Sequence, residues 1–204
     1  MRTRIMSMLT LQDSMNTKVH PDWRSQGYEW YRAIWVECAE LMDHYGWKWW
    51  KKQQPDLAQV HLELIDIWHF GLSDLLLRHE NAEQLADVLA VALRETYLAQ
   101  DFRQTLELFV QQTLTQRVFD VTAFGHVMAS ANLSFEMLYR GYIGKNVLNF
   151  FRQDHGYQDG SYRKVWQGRE DNEHLAEIMQ SLDDTDPQLQ QTIYDKLKTR
   201  YTTA

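Results

Sequence analysis

The chain has 204 residues, 44% of them hydrophobic and 13% aromatic, which excludes global disorder and is ample for a packed core. A formal charge of −7 excludes a general basic surface for nucleic acid, and nine glycines with three prolines disfavour a turn-rich β-sandwich. Cys38 is the only cysteine, Met1-Arg-Thr-Arg-Ile-Met6 lacks a secretory apolar run, and no bilayer-length apolar stretch occurs, so the expectation is a soluble, cytoplasmic protein without membrane or nucleic-acid partners.

From Leu9 to Val19 a short helix is predicted, with Leu9, Leu11, Met15 and Val19 apolar and Gln12 and Asn16 on one face. Beyond a turn at His20-Pro-Asp22, a second helix runs from about Tyr28 to Tyr45 and stops at Gly46, a residue suited to the left-handed C-terminal position. It carries Glu37 and Glu40, and is followed by the aromatic and basic run Trp47-Lys-Trp-Trp-Lys-Lys52. Pro55 opens a third helix near its first turn, through about Leu77, with Glu63 and Asp66 among Leu64, Ile65 and Ile67. Further helices are predicted over Asn81 to Ala99, Asp101 to about Leu114 and Ser134 to about Gln153, while Phe119 to Ala131 mixes small and apolar residues. A loop, His155 to Tyr162, leads through Arg163 to Gly168 into two polar helices flanking Asp183-Asp-Thr-Asp-Pro187. Strand-like alternation is nowhere sustained, so the fold class is all-α, a single helical domain over 1–204 with a possible helical subregion at about 81–130.

Glu37 with Glu40, and Glu63 with Asp66, are each three residues apart, a spacing that puts both acids of a pair on one helix face. Two amphipathic helices with their acids in water would show the same pattern. Antiparallel packing of the two helices would instead bring the four carboxylates into one cleft, where they repel unless cations sit between them. Carboxylate oxygen suits magnesium or manganese, and the lack of a His/Cys cluster disfavours zinc. Lys145, Asn149 and Arg152 recur at spacings of four and three, so one helix face offers a cation, an amide and a guanidinium, with Tyr157 and Lys164 following. That set suits phosphate. Acids that hold metals, facing cations that neutralise the remainder, form the arrangement a metal-bound polyphosphate needs.

The residues that carry these features give the chain a resemblance to the dimeric dUTPases of the all-α NTP pyrophosphatase (MazG-like) superfamily. The matching segments are Leu11 to Asn16, Glu37-Cys-Ala-Glu40 running into Trp47-Lys-Trp-Trp-Lys51, Glu63-Leu-Ile-Asp66 with His69, and Gly144 to Gln153 continuing through Tyr157, Tyr162, Lys164 and Trp166. The paired acids specify only the superfamily. The Trp-Lys-Trp-Trp-Lys and Lys-Asn-x-x-Asn-x-x-Arg segments are narrower and carry the dUTPase resemblance. That resemblance implies a homodimeric helical dUTP diphosphatase, with dUDP as a possible second substrate. Glu37, Glu40, Glu63 and Asp66 would ligate magnesium, with manganese as a possible substitute, and a water near Glu37 or Glu40 would attack the α-phosphorus. Gln12 and Asn16 would read uracil, His69 and Trp50 would shape the base and deoxyribose pocket, and Lys48, Lys51, Lys145, Asn149, Arg152, Tyr157 and Lys164 would contact phosphates. The rival readings are a pyrophosphatase for dCTP or another nucleotide, and a non-catalytic helical regulator that binds nucleotide.

Overall fold

A computed structural model describes residues 1–94, 100–183, 186 and 188–202. Among these, nine α-helices follow one another: α1 (Arg2–Val19), α2 (Trp30–Tyr45), α3 (Leu57–Arg78), α4 (Ala82–Ala92), α5 (Phe102–Gln116), α6 (Val121–Ser130), α7 (Phe135–Asp154), α8 (Asp171–Gln180) and α9 (Leu189–Thr202). A single 3₁₀ turn, Trp23–Ser25, links α1 to α2. Between α7 and α8 lies a short antiparallel ladder, β1 (Val165–Trp166) against β2 (Arg169–Glu170), too brief to leave an alternating pattern in the sequence.

Helix boundaries follow local capping chemistry. α1 starts well before Leu9 because Ile5 and Met8 continue its buried face. α2 ends as expected at Gly46, whose φ of +90° suits a residue without Cβ. Pro55 falls just outside α3, because Asp56 is the N-cap and its carboxylate accepts from the Gln59 backbone N–H at 3.2 Å. The mixed stretch Phe119 to Ala131 becomes helical from Val121, where Asp120 caps the N–H groups of Thr122 and Ala123 and Phe124, Val127 and Met128 turn inward. The predicted continuation of the Asn81 helix to Ala99 reaches residues 95–99, outside the described residues, as do Asp184, Thr185 and Pro187 of the acidic turn.

α3 runs through the centre, with Leu64, Ile67, Trp68 and Leu72 wholly shielded from solvent. Each such side chain contributes about 1.5–3 kcal/mol by leaving water. Around α3 pack α2, α1 and α7, while α4 lies on α1, α5 on α2, and α8 and α9 on α7. Trp68 stacks on Phe124 of α6 with ring centroids 5.5 Å apart, tying that helix to the same core. The contact of α3 with α7 is close because Gly141 presents no side chain: a Cβ there would lie 2.1 Å from Ile65 Cδ1. This approach brings Lys145, one turn after Gly141, against Asp66, the neighbour of Ile65.

Candidate active site

α2 and α3 pack along each other so that Glu37, Glu63 and Asp66 each bring a carboxylate oxygen within 4.8 Å of the others. Burial, and then the charges of Asp66 and Glu63, push the Glu37 carboxyl up to about 8. The Glu63 carboxyl is also raised, first by burial and then by Asp66, with a hydrogen bond from Glu37 and then the Lys145 charge opposing the rise. Glu40 stands one turn beyond Glu37, exposed and outside the trio, although its charge acts on both Glu37 and Glu63. Lys145 Nζ, a positive charge, lies 2.8 Å from Asp66 Oδ2, and the His44 imidazole Nε2 lies 3.5 Å from Glu63 Oε1. Three crowded carboxylates, with the Glu37 and Glu63 carboxyls raised, favour a cation among them, and an all-oxygen donor set fits a hard divalent ion.

Glu37 and Asp66 line a cleft of ≈ 370 Å³ that also takes in Gln12, Asn16, His69, Lys145, Asn149, Arg152 and Tyr157. Gln12 and Asn16 belong to the buried face of α1. Gln12 Nε2 lies 3.1 Å from Asn16 Oδ1 and 3.0 Å from Ser73 Oγ, and Asn16 Nδ2 lies 3.0 Å from the same hydroxyl. Gln12 Oε1 meets His69 Nδ1 at 2.8 Å and the Tyr142 hydroxyl at 3.0 Å. The His69 ring stacks on Tyr142, and burial followed by the Lys145 charge pushes its pKa down to about 3, so the imidazole is neutral. Its Nε2 is buried without a protein partner. Trp23, Tyr28, Trp30 and Phe70 supply an aromatic wall to the cleft.

The cations stand on α7. Lys145 Nζ also lies 3.2 Å from Asn172 Oδ1 on α8. Arg152 donates from Nε and Nη2 to the two oxygens of Asp171, both at 2.8 Å, and from Nη1 to Asn149 Oδ1 at 3.2 Å. Asp171 is fully buried, and it also accepts from the Tyr162 hydroxyl at 2.9 Å. Burial alone would raise its pKa, but the hydrogen bonds and charge of Arg152 outweigh that and hold it below the usual range. Gly156, with φ +90°, turns the chain after α7 so that Tyr157 comes over the Arg152 guanidinium. Gln158 Nε2 then donates to the Val19 carbonyl at 2.8 Å, joining this loop to the end of α1.

Several expected site residues stand elsewhere. Lys48, Trp50 and Lys51 belong to a segment after α2 that does not line the cleft. Lys48 pairs with Asp43 at 3.1 Å, and Trp49 is 89% exposed beside Trp50. Lys164 pairs with Glu170 at 3.2 Å on the outer side of the hairpin. Conversely, Ser73, Tyr142, Asp171, Asn172 and the aromatic wall were not singled out by sequence. Tyr162, which lies in one of the segments matching the family, stands next to Asp171.

A sequence model of the dUTPase family matches residues 4–157. The chain belongs to the dUTPase family. It is a dUTP diphosphatase, and its all-α architecture is consistent with the MazG-like superfamily. The match spans every residue lining the dUTPase cleft, from Gln12 to Tyr157, whereas the Asp171 and Asn172 partners of the cleft cations lie beyond it. No curated protein matches the chain. Enzymes of the dUTPase family generally use a divalent metal, and the Glu37, Glu63 and Asp66 cluster can hold one. Among the described residues no helix is long and apolar enough to cross a membrane.

Proposed function

We propose that this cleft hydrolyses dUTP, with dUDP as a second substrate, to dUMP through attack of water on the α-phosphorus, using magnesium or in its place manganese. The observation that carries the reading is the sharing of one cleft by an acid cluster, a neutral amide network and the Lys145 and Arg152 cations. Glu37, Glu63 and Asp66, with Glu40 from the next turn, would hold the metal. When bound, the metal would supply positive charge against the triphosphate and favour deprotonation of the attacking water.

The carboxylate of Glu37 or Glu40 takes the proton of the water as its oxygen bonds to the α-phosphorus. The bond from that phosphorus to the bridging oxygen breaks, and pyrophosphate leaves with the electron pair. Lys145 and Arg152 neutralise the phosphate oxygens, assisted by Asn149 and Tyr157. Gln12 and Asn16 serve uracil recognition, and His69 packs beneath the base and deoxyribose. Trp50, Lys48, Lys51 and Lys164 would reach sugar and phosphate only after the segments that carry them move onto the substrate. Exposed Trp35 and Val36 on α2, with a groove formed by Trp35, Met42, Leu106 and Val110 beside them, support action as a homodimer. The free, buried Cys38 accords with a reducing cytoplasm.

Turnover of dUTP, dUDP, dCTP and dTTP with magnesium tests the assignment. A strong preference for the uracil nucleotides is expected, and comparable rates on dCTP or dTTP would remove it. Glu40→Gln is expected to abolish hydrolysis. Unchanged activity in that variant would sink the role given to the exposed acid.

A further inference from the structure

A side-chain amide by itself does not distinguish uracil from cytosine. Uracil presents a carbonyl and an N–H on its pairing edge, cytosine an amino group and a bare ring nitrogen, and an amide turned by 180° exchanges one match for the other. Discrimination therefore requires that the amide orientation be held from behind. The network at the back of the cleft contains one residue able to do so.

Ser73 is completely buried on α3, and its Oγ lies 3.1 Å from the His69 carbonyl, 3.0 Å from Gln12 Nε2 and 3.0 Å from Asn16 Nδ2. A hydroxyl has one proton and two lone pairs. Of its two acceptors the His69 carbonyl at 3.1 Å is nearer than Asn16 Oδ1 at 3.3 Å, so the carbonyl takes the proton, and both lone pairs then need an N–H. Gln12 and Asn16 each supply one. With the amides set this way, Gln12 Nε2 donates its other hydrogen to Asn16 Oδ1, and Gln12 Oε1 receives the His69 Nδ1–H and the Tyr142 hydroxyl. Every polar valence of Gln12 is then used inside the protein. Asn16 keeps one N–H and one oxygen lone pair, the complement of the uracil edge.

The opposite setting is self-consistent everywhere except at Ser73. With both amides turned, Gln12 would donate to His69 Nδ1 and to Tyr142, whose own proton has the Met8 carbonyl as an alternative acceptor at 2.9 Å. Asn16 would donate to Gln12. The Ser73 hydroxyl would then have the oxygens of Gln12, Asn16 and His69 as its nearest neighbours with a single proton, while the turned Asn16 nitrogen, at the 3.3 Å position, is engaged by Gln12. Two buried oxygen contacts would be left without hydrogen, a costly state.

We infer that Ser73 is a specificity-determining residue of this enzyme: its hydroxyl fixes the amides of Gln12 and Asn16 in the orientation that accepts uracil and refuses cytosine, with Asn16 reading the base and Gln12 acting as the lock. The inference rests on the reading of the cleft as a uracil-nucleotide site. Ser73 touches no substrate and is a positioning residue.

Ser73→Ala removes the hydroxyl, and Ser73→Cys keeps the volume while replacing a strong acceptor with a weak one. Each is compared with the parent enzyme by the ratio of kcat/KM on dUTP to that on dCTP, and by the ratio of the Kd values for dUMP and dCMP. Both ratios are expected to fall by about tenfold in both variants, the worth of roughly one net hydrogen bond. If either variant keeps the parent ratio, even with both substrates slowed in parallel, Ser73 acts through packing alone and the inference is overturned. Ser73→Cys decides the matter should Ser73→Ala fail to fold. A parent enzyme without preference for dUTP over dCTP would instead remove the underlying uracil assignment, an outcome visible before any variant is made.

Discussion

Two parts of one cleft, both built on α3, handle buried polarity in opposite ways. The amide network of Gln12, Asn16, Ser73 and His69 is neutral, and apart from His69 Nε2 and the spare N–H and lone pair of Asn16 its groups are matched donor to acceptor within the protein. The acid cluster of Glu37, Glu63 and Asp66 gathers like charges, with Lys145 beside Asp66 to offset them. The first is a finished surface that selects. The second is held in an unfavourable state that a bound cation relieves, so folding free energy is lowered in the free enzyme and recovered on binding.

The largest effect that sharpens this contrast is expected from Glu37→Gln. Hydrolysis should fall by about 10³-fold, while in the presence of chelator and at a pH above about 8, where the parent carboxyl is ionised, the variant should melt at a higher temperature than the parent because one repelling charge is gone. A variant that loses activity and also melts lower without metal would show that the acids are not the strained half of the site.

Arg152 and Asp171 form an intermediate case, charged yet fully paired. Asp171→Asn removes the charge that orients the guanidinium and leaves Arg152 part-buried without its partner. KM for dUTP should rise by about tenfold with a smaller change in kcat, together with a lower melting temperature. An unchanged KM would make the pair purely structural.

The two kinds of carboxyl should also respond to pH with opposite sign. Glu37 rises from an ordinary 4.5 to about 8 in the folded chain, so its protonated form is the favoured one there. Metal-free protein should therefore lose stability, by a few degrees in Tm, as pH climbs between those values, and magnesium should cancel the loss. Asp171 is depressed, so its contribution is present above the ordinary carboxylate pKa and disappears only as pH falls through its lower folded value. Melting curves taken across pH with and without magnesium separate the two. A Tm that rises through this range in metal-free protein would contradict the account of Glu37.

The smallest effect is expected from Lys164→Ala. Its pair with Glu170 is exposed and worth at most about 1 kcal/mol, so melting should be unchanged. Any rise in KM then reports directly on a contact that the hairpin makes with substrate.

Periodicity made most of the helices and the acid pairs legible. Glu37 and Glu63 lie beside Cys38 and Leu64, whose apolar spacing already marks the inner faces of α2 and α3. Two kinds of feature left no such trace. Ser73 and Tyr142 each contribute one hydroxyl from an inner helix face, and a lone hydroxyl has no spacing pattern to betray its partners. Asp171 works through a contact with Arg152, 19 positions earlier in the chain, set by how α8 docks on α7, and spacing within either helix says nothing of it. The Trp47 to Lys51 run shows the converse: a conspicuous motif whose side chains, in this conformation, lie outside the cleft.

The absence of a side chain at Gly141 reaches further than packing. A methyl group there would wedge α3 from α7 at Ile65, and the first casualty would be the 2.8 Å link from Lys145 to Asp66. Loosening that link would free a lysine toward phosphate and strip the acids of their nearest counter-charge at once. On the proposed reading of the cleft, a position bearing no chemistry of its own would thus act as the spacer that apportions one positive charge between the protein's own carboxylate and an incoming nucleotide.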